Sequence, residues 1–491
     1  MADLLLSRRG FMAGSAAAAA AVMGRGAFAF DGDPTALTIR EAAVLIRSGD
    51  LSPVDLTRAY LERIERIDPT INAYITVLAD SALERARQME RELSAGRWRG
   101  PLHGIPVALK DNIDTAGIRT TAASELFADR VPDEDAEVVR RLKRSGAVIL
   151  GKLNLHEFAY GGTSSSSHFG PVRNPWNPDY IPGGSSGGPA AAVSARLCAG
   201  ALGTDTAASI RLPAAFCSIS GLKATHGLAS IRGIIPIAES LDHVGPMCRS
   251  VADCALMLQV LAGFDPRDVP SIRADIPDYS RALYRPASGF RLGVPEPFFE
   301  DLHPDIDNAM NEALEVLSRL TAGHRRIASL PDTPPFFPLV AEAYNYHAEY
   351  IETESGRAKY QPDVRERILG LANIPRMDYI QARRELALCR RAIDAVFEEV
   401  DLLITPTVRV LPHPIGEPHD SDAVPEITVH NTLPFDYYGI PTISIPCGFS
   451  RDGLPIGMQI SGPRLGEVDV LTLAHAYERA TDWHRRGPPL A

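Results

Sequence analysis

Hydroxyls set among glycines, and a lysine that closes an apolar run, are the residues of this sequence best suited to chemistry. One serine cluster lies in Gly183-Gly184-Ser185-Ser186-Gly187-Gly188, and a further serine lies in Gly203-Thr204-Asp205-Thr206-Ala207-Ala208-Ser209-Ile210-Arg211-Leu212-Pro213. A serine hydroxyl is a poor nucleophile until an adjacent base takes its proton as it attacks. Upstream, Gly104-Ile105-Pro106-Val107-Ala108-Leu109-Lys110 reads as a short strand ending in an amine. An amine accepts a proton only when neutral, and lysine ordinarily titrates near about 10.4, so it must be desolvated to serve. The simpler use of Ser185 and Ser186 is to cap the helix expected over the Ala-rich segment Pro189–Leu202. One cap does not need four flanking glycines. At the N-terminus of such a helix, unpaired N–H groups and the positive dipole end also gather.

Other chemistries fit less well. Gly183-Gly184-Ser185-Ser186-Gly187 satisfies Gly-x-Ser-x-Gly, the strand-to-helix nucleophile elbow, with His226 or His243 as candidate bases. That elbow needs a strand directly before the serine, whereas Asn174–Pro182 is proline-rich and lacks an apolar run. His156-Glu157 fails the zinc pattern His-Glu-x-x-His, because Tyr160 stands where the second histidine would be.

Three motifs in order carry a resemblance: Gly-Ile-Pro-Val-Ala-x-Lys-Asp at 104–111, Gly-Gly-Ser-Ser-Gly-Gly at 183–188, and Gly-Thr-Asp-x-x-x-Ser-Ile-Arg-x-Pro at 203–213. Together with Asn174–Pro178, Ser240–Met247 and Ala474–Glu478, they make the chain similar to the amidase signature family from about Thr38 to Pro489, most thinly over Asp265–Arg376. The resemblance implies a mixed β-sheet surrounded by helices and a Ser–cis-Ser–Lys triad, with Ser209 as nucleophile, Ser185 as the bridging serine after a cis peptide, and Lys110 as base. It implies hydrolysis of a carboxylic amide with no metal or organic cofactor. The backbone N–H groups of Thr206, Ala207, Ala208 and Ser209 are the implied oxyanion donors. The family usually has Gly-Gly where this chain has Ala207-Ala208, so any positive φ there would cost roughly 1–2 kcal/mol, and a tighter acyl pocket is expected. Asp205 and Arg211 flank this loop with opposite charges and are expected to brace it. Within the family, the rival reading is the glutaminase component of the tRNA-dependent amidotransferase, which hydrolyses glutamine and passes ammonia to partner subunits. From another class, an inactive member acting as a binding protein is disfavoured by the presence of Lys110, Ser185 and Ser209 together.

The elements that must position these residues read as alternating helices and short apolar strands from about Thr38, which favours an α/β layered fold in a single large domain. Glu134–Ser145 has helical spacing, Gly146 closes it, and Ala147–Leu150 continues as a buried strand, giving one strand-helix-strand crossover. Gly161–Gly188 is rich in Gly, Ser, Pro and Asn and is expected to form loops. Asp265–Arg376 is expected to be helical cover over a cleft. Asp401–Ile404, Pro441–Phe449 and Pro455–Ser461 read as strands, the last two joined across Asp452-Gly453, and Val468–Asp482 as an amphipathic helix. Phe336, Phe337, Tyr344, Tyr346, Tyr437 and Tyr438 suit either an aromatic-lined cleft or the core.

Composition narrows the partners. The 491 residues are 45% hydrophobic and 23% charged, an ordinary folded composition, and a formal charge of -11 without a basic run excludes a nucleic-acid footprint. Six cysteines without a Cys-x-x-Cys pair suggest neither a disulfide scaffold nor a zinc site. Residues 1–29 run from Arg8-Arg9 through an Ala-rich apolar stretch to Ala27-Phe28-Ala29, the layout of a twin-arginine export signal, and the amidase domain is expected over 30–491. That stretch is too short to span a bilayer, which takes about 20 apolar residues, so periplasmic or secreted protein with no stable membrane insertion is expected. The partner expected is a small-molecule amide; a homodimer is compatible with the sequence, which leaves oligomeric state open.

Overall fold

Short apolar strands separated by helices come together as one mixed sheet wrapped by helices, the architecture expected from the alternation. A computed structural model describes residues 32–334, 337–416 and 429–490, with the backbone alone at 337–340. The expected leader at 1–29 and Phe336 therefore lie outside the described residues, as does the side chain of Phe337. Among the described residues the strands are β1 (Tyr74–Val77), β2 (Pro106–Lys110), β3 (Val148–Leu153), β4 (Gly200–Asp205), β5 (Ser220–Lys223), β6 (His243–Cys248), β7 (Leu292–Pro295), β8 (His324–Ile327), β9 (Leu402–Pro406), β10 (Thr442–Phe449) and β11 (Pro455–Ser461). They lie in the order β1-β3-β2-β4-β6-β5-β10-β11-β9-β7-β8.

β2 runs parallel to β3 on one side and to β4 on the other. Covered on both faces and bonded on both edges, it is buried at every residue, which is why it reads as a continuous apolar run rather than an alternation. The Glu137–Ser145 helix returns the chain from β2 to β3, burying Val138, Val139 and Leu142 and ending at Gly146 in the left-handed region. β10 and β11 form the expected antiparallel hairpin over Gly453, whose φ of 79° suits a tight turn.

Two expectations need correction. The Ala-rich segment does not remain helical to Leu202: the helix covers Gly187–Ser194, and from Gly200 the chain is strand β4. Tertiary packing overrides helix propensity here, because β4 is wedged between β2 and β6 with no room for side chains at its glycines. A Cβ on Gly200 would stand 2.7 Å from Met257 Sδ, and one on Gly203 2.7 Å from Met247 Sδ. Asp265–Arg376 is not helical cover alone: it adds β7 and β8 to the sheet beside the helices Pro304–Leu320 and Phe337–Ile351. β8 is four residues long and largely exposed, a short charged edge strand that blunts pairing with other chains and leaves little periodicity to read. Tyr437 and Tyr438 pack with Phe435 in an apolar cluster, so for these two the core reading holds.

Candidate active site

The end of β2 delivers Lys110 into the protein interior, where it is fully buried. Its Nζ donates to Ser185 Oγ at 2.7 Å and to Thr204 Oγ1 at 2.8 Å. Thr204 Oγ1 also accepts from Asn112 Nδ2 at 3.2 Å, so the hydroxyl is fixed in place. Among the described residues the amine's hydrogen-bond partners are hydroxyls and not carboxylates, so nothing adjacent holds it charged. Burial lowers its pKa to about 7, outweighing the more distant Asp205 and Asp242, which act in the opposite sense.

The loop that carries Ser185 is pinned at its backbone. The Gly184–Ser185 peptide is cis, as the resemblance implied. The Ser185 carbonyl accepts from the His156 N–H and from Ser164 Oγ, each at 3.2 Å, and Ser164 Oγ in turn accepts the Gly187 N–H at 3.1 Å. That approach requires glycine at 187, where a Cβ would meet Ser164 Oγ at 2.4 Å. Ser186 occupies the N-cap position of the Gly187–Ser194 helix without a side-chain cap bond, so the capping explanation fails. Its hydroxyl donates to the Thr204 carbonyl at 3.1 Å and accepts the Thr204 N–H at 3.3 Å, stitching the loop to β4.

Ser209 follows β4 in a loop that leads into the Arg211–Phe216 helix. The Ser186 N–H donates to the Ser209 carbonyl at 3.2 Å, joining the two serine segments, which the sequence separates. Asp205 and Arg211 brace the loop as expected. Asp205 Oδ2 accepts the Ile210 N–H at 3.0 Å and Arg211 Nε at 2.9 Å, while Oδ1 accepts Arg211 Nη2 at 2.9 Å. Arg211 also donates to the Ala207, Thr432 and Gln459 oxygens and to Asp436. Burial favours a neutral Asp205, but the guanidinium outweighs it and holds the carboxyl below the usual range; Asp436 is instead raised to about 8, chiefly by burial.

The oxyanion candidates have a consistent environment. None of the Thr206, Ala207, Ala208 and Ser209 N–H groups donates to an acceptor among the described residues, while the adjoining Ile210 and Leu212 N–H groups do. The Thr206 side chain is tied down separately, donating to Asp242 Oδ1 at 2.5 Å, and Asp242 accepts the Ile237 and Ala238 N–H groups. Ala207 and Ala208 are absent from the described positive-φ residues, so the strain expected from replacing the glycines does not arise.

The remaining sequence candidates fall elsewhere. No strand leads directly into Ser185: after β3 ends at Leu153 the described chain reaches it without another strand, which removes the elbow reading. His243 is buried behind the Ser209 loop, with Nδ1 3.3 Å from the Asp205 carbonyl and 3.4 Å from Asp436 Oδ1, and burial together with the nearby Lys223 keeps it neutral. Among the described residues no group of His, Cys, Asp and Glu could hold a metal ion, and all six cysteines are free and buried. Thr204, Asn112, Asp242, Asp436 and Gln459 were not singled out from the sequence. Thr204 and Asp242 stand inside the quoted motifs, and Asn112 directly follows one, so these could have been; Asp436 and Gln459 reach the site from segments with no local signal.

Comparison with known proteins gives the family and the fold. The family model described as Amidase matches residues 55–471. The chain is 40% identical to the A-type component of the glutamyl-tRNA(Gln) amidotransferase of Dehalococcoides mccartyi, over 93% of this chain and all of that one. Among solved structures, it resembles the native peptide amidase of Stenotrophomonas maltophilia at 32% identity and a TM-score of 0.79, covering 92% of this chain and 98% of that one. A chain from a vestigial protein complex tied to the origins of an s-triazine catabolic enzyme superposes with a TM-score of 0.84 at 30% identity, covering 90% of this chain and 98% of that one.

Proposed function

The chain belongs to the amidase family, and from that premise we propose that it hydrolyses the C–N bond of a small carboxylic amide through an acyl-enzyme on Ser209. Neutral Lys110 takes the proton of Ser185 as Ser185 takes that of Ser209, whose oxygen attacks the amide carbon. The carbonyl π electrons move onto oxygen, where the N–H groups of 206–209 stabilise the charge. The relay reversed protonates the leaving nitrogen as the C–N bond breaks, and water, deprotonated by the same groups, then releases the acid. The observation that carries the reading is a buried amine 2.7 Å from the Ser185 hydroxyl, on a loop bonded directly to the Ser209 backbone.

A fluorophosphonate probe tests the nucleophile. One label per chain is expected, located on Ser209 and lost in Ser209→Ala; an unlabelled wild-type protein, or a label elsewhere, overturns the assignment. The base makes a separate prediction about pH. Because Lys110 acts only when deprotonated and its pKa is lowered to about 7, kcat/KM rises tenfold per unit below that pH and levels off above it. A rate still climbing steeply at about pH 9 would mean that the amine keeps a pKa near its ordinary value of about 10.4 and is not desolvated.

Substrate is the point at which a second reading has support. Relatives 40% and 42% identical carry the glutamyl-tRNA(Gln) amidotransferase name, which favours glutamine as the amide and other components of such a complex as recipients of ammonia. The peptide amidase neighbours favour a free-standing enzyme, as does the export layout of residues 1–29. A cavity of about 890 Å³ beside Ile237 is walled by Tyr344, Tyr346 and Tyr379 but also by Glu239, Glu342, Arg376 and Arg383, and neither Lys110, Ser185 nor Ser209 lines it, so it favours neither substrate. Assay of glutamine against aryl, aliphatic and peptide amides, with fractionation of cells to locate the protein, separates the two.

A further inference from the structure

A second cavity, of about 370 Å³, lies between the loop at 226–240 and the Arg376–Ala392 helix, and neither Lys110, Ser185 nor Ser209 lines it. Three guanidiniums meet there, from Arg383, Arg390 and Arg464, beside the His226 ring, while the acid in the lining is Glu239. In a chain of formal charge -11 such a concentration of positive charge runs against the background.

The three arginines are not equally satisfied. Arg383 is answered by Glu342 at 2.7 Å. Arg390 donates Nε–H to the Tyr437 carbonyl at 3.0 Å and Nη2–H to the Ser240 carbonyl at 2.7 Å, neutral acceptors that fix its plane without cancelling its charge. Arg464 is exposed and has no acidic partner among the described residues. Burial, with repulsion from Arg383 and Arg464 added to it, lowers Arg390 to about 10. The backbone is shaped around this group: Gly439, at a φ of 66°, passes so close that a Cβ would lie 3.3 Å from Arg390 Nε and from His226 Cβ. Val269, Pro270 and Ile272 form an apolar lip on the same cavity, with Val269 87% exposed.

We propose that this cavity binds a small molecule bearing an oxyanion, a carboxylate or a phosphate, gripped by Arg390 and Arg464 with Arg383 at its edge. An oxyanion supplies the acceptors that the rigid guanidinium fork is shaped for and offsets the mutual repulsion of the three cations. The apolar lip gives the body of the ligand a surface to cover. This inference stands apart from the proposed chemistry, since it uses neither Lys110, Ser185 nor Ser209, although Glu239 and Arg383 also line the larger cavity.

Calorimetric titration of the whole protein with inorganic phosphate, and separately with succinate, at constant ionic strength tests it. Saturable binding is expected, weakened about tenfold by Arg464→Ala and abolished by Arg464→Glu, substitutions at an exposed position that leave the melting temperature unchanged. Binding of phosphate alone identifies a phosphate ester as the ligand class, and binding of succinate a carboxylate. Absence of saturable binding with both anions, or affinities that neither Arg464 variant alters, overturns the site.

Discussion

Lys110→Met is expected to lower kcat/KM by about three to four orders of magnitude while leaving the melting temperature at or above that of the parent protein. The first effect follows because the proposed relay loses its base, and general-base catalysis together with the cooperative behaviour of linked catalytic groups accounts for losses of about that size. The second follows because the buried amine is a liability for folding: it is desolvated, and no carboxylate among the described residues pairs with it. Methionine fills the same space without that penalty, and the Ser185 and Thr204 hydroxyls can turn to other partners. Steady-state kinetics and calorimetry on one preparation check both halves. Adding Ser185→Ala to the variant should cost little more, since both changes break one relay. Retention of a tenth of the activity would remove Lys110 from the chemistry, and a collapsed melting temperature would make it a structural residue.

Arg211→Met is expected to have the opposite profile, a large loss of stability. It strips the shared cation from two buried carboxylates, Asp205 and Asp436, and leaves acceptors on Ala207, Thr432 and Gln459 without their donor. Breaking a buried ion pair from one side costs roughly 3–5 kcal/mol. Asp205→Ala should approach the same loss, because it also frees the Ile210 N–H at the start of the helix after Ser209. Arg211→Lys should not rescue the fold, since one ammonium cannot reproduce a planar fork with donors in several directions. Urea denaturation measures the change, and a loss below about 1 kcal/mol would show that the brace is not structural.

The contrast between these variants marks how far local sequence carries. Lys110 could be placed at a strand end because a strand bonded on both edges and covered on both faces must be apolar throughout, leaving an isolated polar residue conspicuous. Asp205 and Arg211 were legible as a pair because they bracket one short loop with opposite charges. The site's other supports were not. Asp436 and Gln459 reach Arg211 from more than two hundred residues away, and no periodicity connects them. The Ala-rich segment after Ser194 misled for a related reason: its composition favours a helix, and the lack of space between β2 and β6 makes part of it a strand.

By itself the sequence singled out the candidate reactive side chains, the α/β alternation that holds them, and the glycines that let two loops approach each other closely. These follow from residue type and near-neighbour spacing, which act over a few residues. Only the tertiary structure decided that Lys110 meets Ser185, that Ser186 stitches rather than caps, and that Ala207 and Ala208 are tolerated without positive φ. Each of those outcomes depends on which distant segment fills the adjacent space, and burial, through desolvation, then sets the charge of the amine on which the chemistry turns.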